Sequence, residues 1–316
     1  MGQAGHRVIV ADRDPVFMMS MTRFSRYVDR FIMIWPTANY QDELVKIWKQ
    51  ENVDYFLPVS HINLALEDTK AKVKMSQEAS MSGRDFSDLA INDPAIAELL
   101  DNKVSFLKKC QELNLSVPAF ASFDNDLVTE LRSLQKTGLF ENRHFFLKPL
   151  ELQREERMDM TPIPSDSKEF EIYVQQHLLK KDLSVPYVLN EFIKGQEYAA
   201  NVICKNGKIY TLQVCHSSPI QTNYVSIEHQ GIQEWVEKFV QETKLSGFVC
   251  FDFLVNEKDE VYCIECNPRL HSAIVSFANS SKVSKKAVLR LSNFFSNKVP
   301  FLLFKSEFKV KVKMHF

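Results

Sequence analysis

The 316-residue chain is 45% hydrophobic and 25% charged, the composition of a globular protein with one large domain or two to three smaller ones. Its 39 basic and 40 acidic residues leave a net charge of −1, which excludes nucleic-acid or membrane-surface binding driven by bulk electrostatics. No apolar run is long enough to span a bilayer, and Met1 to Arg7 does not read as a signal peptide. Six cysteines, mostly inside apolar segments, suit a reducing compartment, so a cytoplasmic location is expected.

Arg7 to Ala11 (RVIVA) and Val53 to Val59 (VDYFLPV) read as short strands. Between them Tyr40 to Gln50 has helical spacing, with Leu44, Val45 and Trp48 on one side. Strand, helix, strand implies a parallel α/β unit, which binds ligands past the carboxyl ends of its strands. Asp12 and the group Ser60, His61 and Asn63 are therefore candidates for substrate contact, although His61 reads first as a cap for the next helix. The opening MGQAGH reads as the end of a helix, so this unit is expected to lack its first strand and glycine turn. Ser82 to Asp93 is polar and loop-like. Pro94 to Leu113 reads as a helix pair, with Lys103 at a helix start, where backbone amides and a cation can meet an anion. Asp124 to Leu139 predicts an amphipathic helix, and His144 to Pro149 (HFFLKP) an apolar strand. Lys148 within that strand is costly unless an anion pairs with it, which favours a ligand contact.

Glu151 to Pro164 is charged, irregular and without glycine; Ser167 to Leu179 is helical and Val185 to Phe192 a strand. Tyr198 to Cys204 and Lys208 to Val214 form a hairpin around the turn Asn206-Gly207. Gly231 to Lys244 is a helix with Ile232, Trp235, Phe239 and Val240 on one stripe. Lys298 to Phe316 alternates apolar residues with lysine and reads as an edge strand, a basic arm or sequence foreign to the domain.

Phe248 to Ser272 carries the densest chemistry. Phe248 to Val255 and Glu260 to Glu265 alternate apolar and polar residues on either side of a polar break, the pattern of a β-hairpin. If Val255 pairs with Tyr262, Asp252 lies opposite Glu265, and Asn267 follows on the same face. Carboxylates opposed across a ladder repel, so the pair calls for a cation. Mg²⁺ fits, because it takes one or two carboxylates plus phosphate oxygens; Asp252, Glu265 and Asn267 are the expected ligands, with Mn²⁺ as the alternative ion. Arg269 could hold a phosphoryl or acyl-phosphate group through its planar fork. Cys263 and Cys266 form a C-x-x-C, but residues three apart on a strand face opposite ways, so neither a shared metal nor a disulfide is expected.

In order and approximate spacing, Lys103, Lys148, Glu191 with Glu197, then Asp252, Glu265, Asn267 and Arg269 resemble the ATP-grasp superfamily, most specifically through NEFIKGQEYA, FDFL and IECNPR. The resemblance implies an α/β (α+β) ATP-grasp fold behind a small parallel α/β domain. The expected divisions are a partial α/β domain over 1–92, the two halves of the grasp over 93–190 and 191–297, and a divergent tail over 298–316. It further implies that Lys103 and Lys148 contact ATP phosphates, Lys148 also lying near the adenine. Glu191, Phe192 and Ile193 would bind the adenine edge, largely through backbone groups, and Glu197 the ribose hydroxyls.

More narrowly, AGHRVIV, RFSRYVDRF, YFLPVS, RMDMTPIP and ECNPRLHSAI are similar to the mycosporine-glycine synthase branch. That resemblance implies activation of 4-deoxygadusol by ATP and attack of the glycine amine. Asn223, His229, His271 and Ser272 are the substrate-side candidates beside Arg269; the bland reading of Asn223 and His229 is solvated loop, and that of Ser272 a helix cap. The expected partners are small molecules, with neither nucleic acid nor membrane, and a homodimer is compatible with the sequence. A nucleotide-binding paralogue without turnover and a phosphotransferase are the alternatives.

Overall fold

The computed structural model describes residues 6–13, 21–59, 64–123, 126–150, 159–217 and 225–270. Helices and sheets are both abundant, and each of three apolar cores is built on its own sheet or sheet pair. No helix among the described residues is long and apolar enough to cross a membrane.

In the first unit, β1 (Ile9–Arg13) pairs in parallel with β2 (Arg30–Ile34), and β3 (Tyr55–Phe56) with β4 (Ser87–Asp88). Helix α1 (Tyr40–Gln50) starts at Asn39, whose side chain accepts from the Asp42 N–H, and buries Leu44, Val45, Ile47 and Trp48. Helix α2 (Ala65–Ser82) buries mainly small residues, Ala71 and Ala79 with Met75, against that stripe. This unit differs from the sequence reading in the unanticipated helix α2, in β4, which lies in the segment Ser82 to Asp93 expected as loop, and in its strand pairing. The partner of β1 is the unanticipated strand at Arg30–Ile34, and only Tyr55 and Phe56 of the second predicted strand are paired. Ser60, His61, Asn63 and the tail over 298–316 lie outside the described residues.

The second core forms on the sheet β5-β7-β6, made of Phe120–Ser122, Tyr187–Glu191 and Phe145–Pro149. Helices α5 (Leu127–Lys136) and α6 (Ser167–Gln176) cover one side, through Leu131, Phe170 and Val174.

The third sheet is five-stranded, antiparallel and ordered β10-β9-β8-β11-β12. Its strands are β8 (Gly195–Lys205), β9 (Lys208–His216), β10 (Val225–Ile227), β11 (Gly247–Asn256) and β12 (Val261–Asn267). Asn206 and Gly207 connect β8 to β9 with φ of 49° and 77°, the left-handed pair that a two-residue hairpin turn requires. Helices α3 (Pro94–Asp101), α4 (Lys103–Glu112) and α7 (Gln230–Glu242) pack on one face, with Phe106, Trp235, Phe239, Phe251 and Phe253 at the centre. The segment 94–112, expected with the first half of the grasp, therefore contributes its apolar side chains to this sheet's core.

The first unit is fastened to the third sheet at Gly247. The Phe248 N–H donates to Leu89 O (2.9 Å) and the Asn92 N–H to Ser246 O (3.0 Å). Gly247 has φ of +126°, and a Cβ there would lie 2.6 Å from Ala90 O. Gly247→Ala is expected to destabilise the fold by on the order of 2–4 kcal/mol, from backbone strain plus the clash with an immobile carbonyl. The urea midpoint measures it, and an unchanged midpoint would show that the two units are not clamped there.

Candidate functional site

Strands β11 and β12 place Asp252 directly opposite Glu265 and Cys250 opposite Asn267. The outer half of this hairpin is out of step with the sequence expectation. Val255 pairs with Val261 rather than Tyr262, and Tyr262 faces Leu254. The turn is longer, with the Asn256 N–H donating to Glu260 O (3.1 Å) and Asp259 left-handed at φ 63°. A β-bulge between Asp252 and Phe253 absorbs the slip, since their partners jump from Glu265 to Cys263 and leave Ile264 as the extra residue. The acids thus face one another despite the different turn. The bulge also corrects the reading of the cysteine pair: Cys266 faces Phe251 and Cys263 faces Phe253, so both thiols join the same aromatic core. None of the six cysteines forms a disulfide, and all are buried.

Asn267 donates through Nδ2 to Asp252 Oδ2 (2.9 Å), which uses the amide's donor end and leaves its oxygen as the end that suits a cation. Enclosure in the sheet, then the charges of Glu265 and Glu197, push the Asp252 carboxyl well above the usual carboxylate range, against the pull of Arg269 and Asn267. Asp101, the last residue of α3, belongs to the same cluster. Burial raises its pKa, Arg269 lowers it and Glu265 raises it. The sequence reading missed Asp101, although an acid at the carboxyl end of a helix opposes the helix dipole and lies two residues before Lys103, which is a readable signal.

Among the described residues no three or more His, Cys, Asp or Glu side chains are arranged to hold a metal. The donor set is instead two carboxylates and an amide oxygen, the hard and incomplete shell that Mg²⁺ accepts when phosphate oxygens and water supply the rest. One consequence is measurable without turnover. Asp252→Asn keeps an acceptor for Asn267 and removes a repelling charge, so the metal-free variant is expected to be more stable than wild type by about 1 kcal/mol, or a few degrees in Tm. The stabilisation by MgATP should shrink in the same variant. A lower Tm without metal would show that the opposed acids do not repel.

The other candidates lie on neighbouring elements. Lys103 is the first residue of α4, whose Asn102 cap accepts from the Ser105 N–H (3.0 Å). Lys148 is half-buried on β6, with its ammonium 5.3 Å from the Phe146 ring centroid. Glu191 ends β7 with its carboxylate accepting from the Ala119 N–H (2.9 Å) and lying 3.6 Å from Arg143. The Phe192 N–H donates to His144 O (2.7 Å), and the Phe192 ring is edge-on to Phe146. Ile193 and Lys194 follow as a short unpaired link to β8. Glu197, exposed on β8 opposite Leu254, bears on Asp252 electrostatically.

His229 stands apart. It caps α7, accepting from the Ile232 N–H (3.4 Å), and packs on Tyr198, which belongs to the helix-covered face of the sheet rather than the face bearing the acids. Its place is a helix cap, not the solvated loop of the bland reading. Asn223, His271 and Ser272 lie outside the described residues. Within the segment after β6, Asp159 is held by Lys181 and by His177 (2.8 Å). Burial raises its pKa, but Lys181 and Thr161 outweigh that and hold the carboxyl well below the usual range.

Residues 164–273 match the ATP-grasp domain family. No match is found among curated protein sequences. The biotin carboxylase domain of the 2-oxoglutarate carboxylase of Hydrogenobacter thermophilus, solved with MgADP, ADP and bicarbonate, superposes with a TM-score of 0.61 at 12% identity, covering 95% of this chain and 66% of that one. The L-amino acid ligase of Bacillus licheniformis gives 0.59 at 15% identity, covering 92% and 68%. The N5-carboxyaminoimidazole synthetase of Staphylococcus aureus, complexed with ADP, gives 0.55 at 15% identity, covering 86% and 66%. A further biotin carboxylase domain, from a thermophilic 2-oxoglutarate carboxylase, is spanned over only 59% of its length. The match over residues 164–273 and the shared architecture give this chain the ATP-grasp fold.

Proposed function

We propose that the protein is an ATP- and Mg²⁺-dependent carbon–nitrogen ligase that phosphorylates a small oxygenated acceptor, 4-deoxygadusol or a close relative, and joins it to the amine of an amino acid such as glycine. The observation that carries this reading is the opposed pair Asp252 and Glu265, with Asn267 bonded to Asp252 and the Arg269 charge beside them. Such a pair is unfavourable for a strand alone and favourable for a divalent ion that shares phosphate oxygens. The ADP complexes and the ligase among the superposable structures agree with it.

In this reading Asp252, Glu265 and Asn267 hold the ion, Mg²⁺ or in its place Mn²⁺, which when bound neutralises charge developing on the transferred phosphoryl group. Lys103 and Lys148 neutralise the remaining phosphate charge. The adenine edge lies along Glu191 to Ile193. With the Phe192 N–H already donated to His144, the backbone N–H of Ile193 is the donor for the base. Glu197 accepts from the ribose hydroxyls. Arg269 steadies the phosphoryl group as an acceptor oxygen bonds to the γ-phosphorus and the bond to ADP breaks. The amine then attacks the activated carbon, the C–N bond forms, phosphate leaves with its oxygen and the amine proton goes to solvent. Six buried, reduced cysteines suit a cytoplasmic location.

Mass analysis of products from MgATP, 4-deoxygadusol and a panel of amino acids tests the proposal. One condensation product with equal ADP and phosphate is expected. A phosphorylated acceptor that persists in the presence of amine would make the protein a phosphotransferase instead.

A further inference from the structure

The sheet face that bears Asp252 and Glu265 continues into groups that the reading above leaves unused. Asn267 is opposite Cys250, Cys250 opposite Asn201, and Asn201 opposite Gln213, so one row crosses β12, β11, β8 and β9. The neighbouring row runs Glu265, Asp252, Ala199, Cys215. Side chains in directly opposed pairs share a face, so the amides and the acids look the same way. Asn201, Gln213 and Thr211, the last opposite Ile203, are 0%, 2% and 5% exposed. Both polar side-chain atoms of Asn201, both of Gln213 and the Thr211 hydroxyl are buried without a hydrogen-bond partner. A buried polar group left unpaired costs about 1–3 kcal/mol, so a cluster of them calls for a polar occupant.

We infer that Asn201 and Gln213, with Thr211, form a subsite for the acceptor substrate, a small neutral molecule bearing both hydroxyl and carbonyl groups. This rests on the ligase reading of the adjacent acids. Between the amides and Asp252 on this face stand Ala199, Cys215 and Cys250, whose small side chains pack together. Each amide offers N–H donors and a carbonyl acceptor, matching hydroxyl and ketone groups, while the row contains no cation to receive a carboxylate or phosphate. A subsite of buried amides discriminates strongly, because an analogue lacking the matching group leaves them unpaired.

Calorimetric binding of neutral hydroxyketones headed by 4-deoxygadusol, with matched carboxylates as controls, tests this on the full chain, alongside the MgATP thermal shift. Wild type should bind a neutral compound. Asn201→Leu and Gln213→Met, of similar volume, should each weaken that binding by about tenfold to a hundredfold and leave the MgATP shift unchanged. Both variants should fold at least as stably as wild type, since they remove unpaired groups. The subsite is overturned if no neutral compound binds, or if both variants bind it as wild type does, the amides then holding ordered water alone. Loss of binding in the variants combined with no MgATP shift in any protein would keep the subsite and overturn the ligase reading instead.

Discussion

Glu265→Ala is expected to lower ATP consumption in the presence of 4-deoxygadusol and glycine by about a thousandfold, with the fold intact. The size follows from the part that the proposed metal ligands would play. Phosphoryl transfer asks a protein mainly to position the reactants and neutralise charge, and removing one preorganised electrostatic contact from such a site typically costs about a hundredfold to a thousandfold. Glu265 sits opposite Asp252 and bears on both Asp252 and Asp101, so its loss relaxes repulsion in the metal-free protein while halving the carboxylates available to a divalent ion. The signature is thus a retained or raised Tm without ligand and a lost MgATP shift. Glu265→Asp, which keeps the charge at shorter reach, should fall between the two. Turnover of Glu265→Ala within tenfold of wild type would mean that this hairpin is not where the phosphates are handled.

The hairpins were legible because polar breaks interrupt period-two alternation and Asn206-Gly207 supplies a left-handed turn. The opposition of Asp252 and Glu265 was readable for the same reason, although the register behind it depended on a bulge that no pattern announced. Cys263 and Ile264 are consecutive apolar residues before Glu265, so the composition does not mark which of the two is the extra residue. Helix α2 escaped notice because its buried face is built of Ala71, Met75 and Ala79 among charged and small residues, a stripe too thin to show periodicity. The strand Arg30–Ile34 is short and lies behind an arginine-rich stretch. Asn201 and Gln213 occupy the polar positions of alternating strands, which normally mark a solvated face. Only the folded sheet shows that this face is enclosed. The chemistry nearest a hairpin could therefore be read locally, whereas groups assembled from separate strands could not.

Phe251→Ala should have the largest effect on stability, about 3–5 kcal/mol and on the order of 10 °C in Tm. Phe251 is wholly buried, with ring centroids 5.3 Å from Phe239, 5.5 Å from Trp235 and 6.2 Å from Phe106, so helices α4 and α7 both rest on it. Truncation removes its transfer free energy and leaves a void among rigid aromatic neighbours that cannot collapse to fill it. The residue also stands between Cys250 and Asp252, with its ring on the opposite side of the sheet from the acids. The core therefore fixes the strand from the side opposite the acids. Phe251→Leu, which keeps most of the volume, should cost about 1 kcal/mol and leave the MgATP shift near wild type. Urea unfolding separates the outcomes. A loss below about 1 kcal/mol for Phe251→Ala would show that the helices can repack without this ring, and the strand bearing Asp252 would then owe its position to the β-ladder alone.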